Sequence, residues 1–83
     1  SITDPLTGLG NRRAFERELE LRLSRARRTG EPVALLYLDV DGLKKLNDRH
    51  GHAIGDETLR ILASTLRSTS RQGMDLGFRG GGD

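Results

Sequence analysis

Two carboxylates lie directly after the most hydrophobic run of the sequence. The run "VALLYL" at 33–38 leads into Asp39 and Asp41, and Gly42 follows. Side chains two residues apart on a strand point to the same face, so these carboxylates are expected to converge past the end of a strand, where α/β sheets bind ligands. Carboxylates and backbone carbonyls are the hard oxygen ligands that Mg²⁺ takes, often together with substrate phosphates. The spacing therefore indicates a magnesium and phosphate site.

The turn after these acids supplies groups that bind phosphate. A helix is expected to begin at about Leu43, and its free N–H groups carry partial positive charge. Lys44 adds a full positive charge in the same turn. The alternative is structural, because Asp39 and Asp41 could end the strand, or one of them could cap the helix. The motif alone does not decide between the two interpretations.

The surrounding sequence predicts the elements that position these groups. Residues 33–40 form an apolar run without alternation, which favours a strand covered on both faces. Apolar spacing predicts three helices, over about 12–28, 43–49 and 56–67. A weak strand is predicted over 74–78. Helices that flank a buried strand indicate an α/β fold, in the form of an α+β sandwich. Because a sheet needs more than two strands, we expect the rest of it to lie beyond residue 83.

The composition is typical of one small soluble domain. The chain has 83 residues, of which 34% are hydrophobic and 31% charged, and it has no cysteine. Neither disulfides nor thiolate metal sites are therefore possible. No stretch approaches the roughly 20 apolar residues of a membrane span, so we expect no direct membrane contact. The arginines between 12 and 28 are interpreted as a solvated helix face rather than a nucleic-acid site, because no aromatic residues lie among them for base stacking.

Three blocks of sequence occur in a characteristic order. They are "DPLTGLGNRRAF" at 4–15, "LDVDGLKKLNDRHGHAIGDETLR" at 38–60 and "DLGFRGGGD" at 75–83. Together they resemble the GGDEF family, the diguanylate cyclases. The match covers nearly the whole chain and includes the first three positions of the name-giving signature. Residues 1–83 are therefore interpreted as part of a GGDEF domain, truncated within that signature.

The resemblance implies a fold and an activity. The implied fold is that of the cyclase and polymerase palm, with a central sheet flanked by helices, of which only the N-terminal half is expected here. The implied activity joins two GTP molecules into cyclic dimeric GMP and releases two pyrophosphates. Each domain holds one GTP, so a homodimer is required, and sensor or signalling domains usually lie upstream. A bacterial, cytoplasmic enzyme is implied, with any membrane anchor elsewhere in the protein.

The resemblance also assigns roles to single positions. The implied metal ligands for Mg²⁺, with Mn²⁺ as the alternative, are Asp39, the Val40 carbonyl and Asp83. The implied catalytic residues are Asp83 and Lys44. The implied substrate contacts are Gly42, Leu43 and Lys44 at the phosphates, and Asn47, His52 and Asp56 at the guanine.

The chemistry of two guanine positions agrees with these roles. The Asp56 carboxylate can accept from guanine N1–H and N2–H together, and the Asn47 amide can both donate and accept. A site of this kind rejects ATP, because adenine leaves its polar groups unpaired. Structural alternatives stay open: Asp56 could cap the following helix, Asn47 could be exposed, and His52 could fix a loop.

Three features depart from the family pattern. The Glu expected after Asp83 lies outside the chain, so we expect these 83 residues alone not to cyclise GTP. Gly80 replaces a larger residue before the double glycine, which loosens the hairpin. Gln72 stands where the family's product-inhibition site has its Arg, with Arg71 one place away and Asp75 at the acid. We therefore expect weak or absent feedback inhibition through that site.

Two other classes of function stay open. A degenerate GGDEF module would bind GTP or a protein partner for regulation without turnover, as Gly80 and the incomplete signature suggest. Nucleic-acid binding through the arginine-rich helix is the third hypothesis. The residues after Asp83 discriminate the first two, because Glu-Phe favours the enzyme. The sequence identifies neither the upstream signal nor the dimer geometry.

Overall fold

The structure, a computed structural model, describes residues 1–81, which contain three α-helices. The helices are α1 over Arg12–Thr29, α2 over Leu43–His50 and α3 over His52–Thr69. The three helices predicted from apolar spacing are confirmed. The α3 helix begins at His52 rather than near residue 56, because Gly51 has a φ of 92° and turns the chain directly out of α2.

Both ends of α1 are closed by local hydrogen bonds. The Asn11 side-chain oxygen accepts from the Ala14 N–H at 3.0 Å, a cap that contributes about 1 kcal/mol. Gly30 has a φ of 78° and donates its N–H to the Ala26 carbonyl at 2.8 Å. The left-handed conformation favours glycine there and ends the helix.

The arginines of α1 pair partly with glutamates. Ion pairs join Arg12 to Glu16, Arg22 to Glu18 and Arg25 to Glu31. Pairs of this kind on a solvated surface agree with the interpretation of this helix face as exposed. The absence of a nucleic-acid partner stays a prediction.

Helices α2 and α3 pack against each other as a hairpin around Gly51. Gly55 and Ala63 are the buried residues of α3, and Leu46 on α2 is half-buried. Gly55 lies directly against the Asn47 side chain of α2, so the two helices meet at this pair of residues. The hairpin therefore fixes the residues of α2 relative to those of α3.

The prediction of an α/β sandwich with a palm-like central sheet is wrong for this structure. Residues 33–40 form no strand, and the predicted strand at 74–78 reduces to a single bridge at Phe78. Within residues 1–81 the only β-pairing consists of isolated bridges. A strand requires a neighbour for its N–H and C=O groups, and hydrophobicity does not provide one. The run is also exposed rather than covered, with Leu36 at 77% and Tyr37 at 88%.

The N-terminal turn instead pairs with the segment that precedes the signature. Gly10 forms an antiparallel bridge with Thr3 and a parallel bridge with Phe78. The Phe15 and Phe78 rings meet edge to face, with centroids 5.5 Å apart. We call residues 3–10 and 77–79 the clasp, and it contains the buried Leu9.

No helix within residues 1–81 combines the length and the hydrophobicity needed to cross a membrane.

Candidate functional site

The acidic turn before α2 is exposed to solvent. Asp39 and Asp41 are both exposed, and Asp39 Oδ1 accepts from the adjacent Val40 N–H at 3.0 Å. Because this stretch is not a strand, the periodicity argument for converging carboxylates is wrong. Neither carboxylate, among the described hydrogen bonds, accepts from the first turn of α2, so the capping alternative is not supported either.

The first turn of α2 offers N–H groups for an anion. Gly42 precedes the helix at a φ of 76°, which favours glycine, and no side chain caps the helix. The N–H groups of Leu43 and Lys44 belong to the first turn, where an α-helix has no internal acceptors for them. Lys44 is exposed and takes part in no ion pair within the described residues. Partial and full positive charge therefore lie together at this turn.

Asn47 carries a buried acceptor on the side of α2 that meets α3. Its Oδ1 is buried and has no hydrogen-bond partner, while the residue as a whole is half-buried. The alternative that Asn47 is simply exposed is therefore wrong. An unpartnered buried acceptor costs about 1–3 kcal/mol, which a ligand with an N–H donor would offset.

His52 and Asp56 lie one turn apart on α3. His52 is the first residue of the helix and is exposed, whereas Asp56 is half-buried within the second turn. Residues four apart share a helix face. The alternatives in which Asp56 caps the helix or His52 fixes a loop do not match these positions. The structure thus brings Asn47 and Asp56 to the two helices of one hairpin, and it leaves their roles as predictions.

The implied metal site lies only partly within the described residues. Asp83 lies outside the described residues. The predicted closeness of the Asp39 and Asp83 carboxylates therefore stays a prediction. Within residues 1–81 no three acidic, His or Cys side chains come close enough to hold a metal. The Asp39 carboxylate and the Val40 carbonyl are hard oxygen donors, so their chemistry fits Mg²⁺. They supply part of a ligand set rather than a complete one.

A shallow depression lies along α2 and shares only Gly42 with the predicted nucleotide contacts. The residues that line it are Gly42, Lys45, Leu46, Asp48, Arg49 and His50. Neither Lys44 nor Asn47 is among them. The depression is therefore not the candidate site.

A polar cluster in the clasp was not predicted from the sequence. Asp4 Oδ2 accepts from the Thr7 N–H at 2.9 Å and from the Thr7 hydroxyl at 2.7 Å. Arg79 Nη1 donates to Asp4 Oδ1 at 3.2 Å, and Arg67 Nη1 donates to the Thr7 carbonyl at 2.7 Å. An Asp followed three residues later by a Thr within a turn is the sequence pattern that could have predicted the two bonds between Thr7 and Asp4.

Burial and these bonds act in opposite directions on Asp4. Burial alone would raise its pKa, but the bonds from Thr7 and the Arg79 guanidinium together hold the pKa of Asp4 below its ordinary value. The charged carboxylate is therefore the form that the clasp stabilises.

The acid of the predicted product-inhibition site is already paired with a neighbour. Arg71 donates from Nε to Asp75 Oδ2 at 3.0 Å and from Nη2 to Asp75 Oδ1 at 2.9 Å. These bonds lower the pKa of Asp75 to about 2. Gln72, at the position where Arg was expected, is exposed.

Comparison with known proteins gives one consistent result. The family model described as "Diguanylate cyclase, GGDEF domain" matches residues 1–83. The "Response regulator PleD" of Caulobacter vibrioides is 47% identical over 83 residues, which is all of this chain and 18% of that protein. The "Diguanylate cyclase DgcS" of Shewanella oneidensis is 45% identical over 83 residues, again all of this chain and 28% of that protein.

A third relative matches over a shorter range. The "Diguanylate cyclase DgcP" of Pseudomonas aeruginosa is 46% identical over 72 residues, which is 87% of this chain and 11% of that protein. The chain thus spans less than a third of the length of each of these three relatives.

Proposed function

Because this chain belongs to the GGDEF family of diguanylate cyclase domains, we propose that its protein condenses two GTP molecules into cyclic di-GMP with release of two pyrophosphates. The observation that carries the proposal is the family match over all of residues 1–83. The positions that the resemblance assigns to substrate lie in or beside the α2–α3 hairpin. The 83 residues alone are not expected to catalyse the reaction.

The start of α2 is the proposed phosphate site. The free N–H groups after Gly42 and the ammonium of Lys44 supply partial and full positive charge for phosphate oxygens. A Lys acts here as a point charge, so it can follow the phosphates as charge moves onto the leaving pyrophosphate. Lys44 is therefore proposed to contribute both to binding and to catalysis.

The α2–α3 hairpin is the proposed guanine site. Guanine presents N1–H and N2–H donors side by side, and the Asp56 carboxylate can accept from both. The buried Oδ1 of Asn47 needs a donor, and its Nδ2 can donate to a ring acceptor of the base. The exposed His52 at the start of α3 is proposed to contact the same base.

Asp39, the Val40 carbonyl and Asp83 are the proposed ligands of Mg²⁺, with Mn²⁺ as the alternative ion. When bound, such an ion polarises the α-phosphate and lowers the pKa of the attacking hydroxyl. Through such an ion, the Asp39 and Asp83 carboxylates would orient the phosphate end of the nucleotide.

The proposed reaction is an in-line substitution at phosphorus. The 3′-oxygen of one GTP forms a bond to the α-phosphorus of the other, the bond from that phosphorus to the bridging oxygen breaks, and pyrophosphate leaves. The 3′-hydroxyl releases its proton to water in the same step. A second, reciprocal substitution closes the ring, so each of two facing domains presents one GTP.

This requirement makes assembly of a homodimer the proposed control point. At protein concentrations below the dimer dissociation constant, the rate per molecule should rise in proportion to concentration. Signalling domains upstream are the proposed partners that change this assembly, and the cytoplasm, where GTP is abundant, is the proposed location. Feedback inhibition at Asp75 is proposed to be weak, because Arg71 already occupies that carboxylate.

The direct experiment is to incubate the intact protein with GTP and Mg²⁺ and to separate the products by chromatography. We expect cyclic di-GMP and two equivalents of pyrophosphate, and none with ATP. Asp39→Asn should lower the rate about a hundredfold or more, since a metal contributes several kcal/mol. The exposed Ser64→Ala on α3 is the matched control and should keep the wild-type rate. Absence of product from a folded dimer would exclude the proposal.

One observation favours a second candidate, a regulatory module that binds GTP without turnover. Gly80 adds a third glycine in front of the Gly81 and Gly82 of the signature, and a third glycine adds backbone freedom at this point of the chain. Isothermal titration of GTP together with the product assay separates the candidates. Binding without product supports the module, and binding with product supports the enzyme.

A further inference from the structure

Gly55 is buried where α3 meets α2, directly against the Asn47 side chain. A methyl group built on Gly55 would overlap Asn47 Oδ1, and it would lie 2.6 Å from Asn47 Cγ and 2.9 Å from Asn47 Nδ2. The three atoms nearest to that methyl group are thus all atoms of one side-chain amide. The space that Gly55 leaves free is the space that this amide occupies.

The backbone of Gly55 gives no separate reason for a glycine. Gly55 lies within α3 and is not among the glycines with positive φ, which are Gly8, Gly30, Gly42, Gly51 and Gly73. At a helical position without steric restriction, alanine is the more stable residue. The restriction at residue 55 is therefore the contact with Asn47, not the local conformation.

The contact also explains how an acceptor comes to lie buried without a partner. Asn47 Oδ1 is enclosed and unpaired, although the end of an Asn side chain can normally turn towards water. A ligand that donates a hydrogen bond to Oδ1 would satisfy this acceptor. The enclosure by α3 holds the amide in one place before the nucleotide arrives, which lowers the entropic cost of binding.

We propose that Gly55 is a positioning residue that holds the Asn47 amide in place for guanine and so sets the preference for GTP over ATP. This inference rests on the proposed function. Gly55 itself touches no substrate and acts only through Asn47.

The proposal predicts opposite effects on folding and on binding. In Gly55→Ala the amide must turn away, and because it is the free end of a side chain, this movement costs the fold little. Alanine meanwhile favours the helix. Stability to urea should therefore be unchanged or higher, whereas GTP binding should weaken. A residue that only packed two helices together would lose stability and leave the preference for guanine unchanged.

The test uses the intact protein and titrates GTP and ATP with Mg²⁺ by calorimetry. Gly55→Ala should weaken GTP binding about tenfold, the equivalent of one hydrogen bond, and leave ATP binding as it is. Ser64→Ala, on the exposed side of the same helix, controls for helix propensity and should change neither. An equal loss for both nucleotides, or no loss for GTP, would overturn the proposal.

The double variant Gly55→Ala/Asn47→Ala gives the second readout. Asn47→Ala removes the overlapping atoms, so the double variant should fold even if Gly55→Ala does not. In the Asn47→Ala background, Gly55→Ala should cause no further loss of GTP affinity, because there is no amide left to move. A further loss would mean that Gly55 acts by another route, and it would contradict the proposal.

A nucleotide-free measurement separates this inference from the proposed function. The side-chain amide resonances of Asn47 should shift between wild type and Gly55→Ala, and not between wild type and Ser64→Ala. If wild type binds no GTP but the Asn47 amide resonances shift, the contact between Gly55 and Asn47 is confirmed. The proposed function and the role of Gly55 in specificity are then refuted. If wild type binds GTP and the amide does not shift, only the positioning role of Gly55 is refuted.

Discussion

The clasp and the apolar run before α2 are both irregular, yet they differ in how their polar groups are satisfied. In the clasp, Asp4 and Arg79 form an ion pair whose side chains are only 14% and 23% exposed, and backbone bonds link Gly10 to Gly77 and Arg79. In the run at 33–38 the residues are apolar but exposed. In these two segments, burial follows the availability of hydrogen-bond partners for the backbone more closely than it follows hydrophobicity.

The largest expected effect is on the clasp, at Gly10. A methyl group on Gly10 would come within 2.5 Å of Phe78 Cδ2 and 3.2 Å of the Ala14 methyl group. Gly10→Ala should therefore lower the free energy of unfolding by about 1–3 kcal/mol, the usual cost of overpacking, as measured by urea denaturation. Combining it with Phe78→Leu should reduce the penalty. A Gly10→Ala protein as stable as wild type would mean that the clasp is not tightly packed.

The next effect is expected at the ion pair of the clasp. Arg79→Ala leaves the largely buried Asp4 carboxylate with fewer donors, so it should cost about 1–3 kcal/mol of unfolding free energy. Arg71→Ala removes an ion pair that is exposed, and it should cost clearly less. Equal losses in the two variants would contradict the distinction between buried and exposed pairs.

The stability of the clasp should depend on pH through the Asp4 carboxylate. The folded-state pKa of Asp4 lies below its ordinary value of 3.8, so the folded protein binds fewer protons than the unfolded chain near that pH. Its contribution is complete well above pH 3.8 and is lost as the pH falls through the folded value. Asp4→Asn should therefore be less sensitive to acid than wild type in urea denaturation from pH 6 to pH 3. An unchanged acid sensitivity would contradict the assignment.

The smallest effect is expected in the apolar run. Leu36 is 77% exposed, so Leu36→Ser should change the free energy of unfolding by no more than about 0.5 kcal/mol. Urea denaturation of Leu36→Ser and of Gly10→Ala under the same conditions compares the two losses of unfolding free energy. A loss as large as that of Gly10→Ala would show that the run is buried in the folded protein.

Local signals explain what the sequence predicted correctly. Asn11 and Gly30 bound α1 because a side-chain cap and a left-handed glycine act within one helical turn. The start of α3 was misplaced because Gly51 produces it by its conformation and not by a capping side chain. The predicted strand was wrong because an apolar run does not specify a neighbour.

Long-range contacts explain what the sequence could not predict. Asp4 and Arg79 are 75 residues apart, and their pairing depends on how the chain returns to its beginning. The candidate site was partly predictable, because Asn47 and Asp56 belong to adjacent helices whose order follows from apolar spacing. The contact between Gly55 and Asn47 was not, because it depends on the separation of two packed helices.

The preference of the intact protein for GTP over ATP, compared between wild type and Asp56→Asn, decides whether the α2–α3 hairpin recognises guanine. We expect wild type to prefer GTP by at least about a hundredfold, since mismatched polar groups in a site are strongly penalised. Asp56→Asn replaces one acceptor oxygen with a donor, so most of that preference should disappear. If the variant kept the wild-type preference, the α2–α3 hairpin would not be what recognises the guanine.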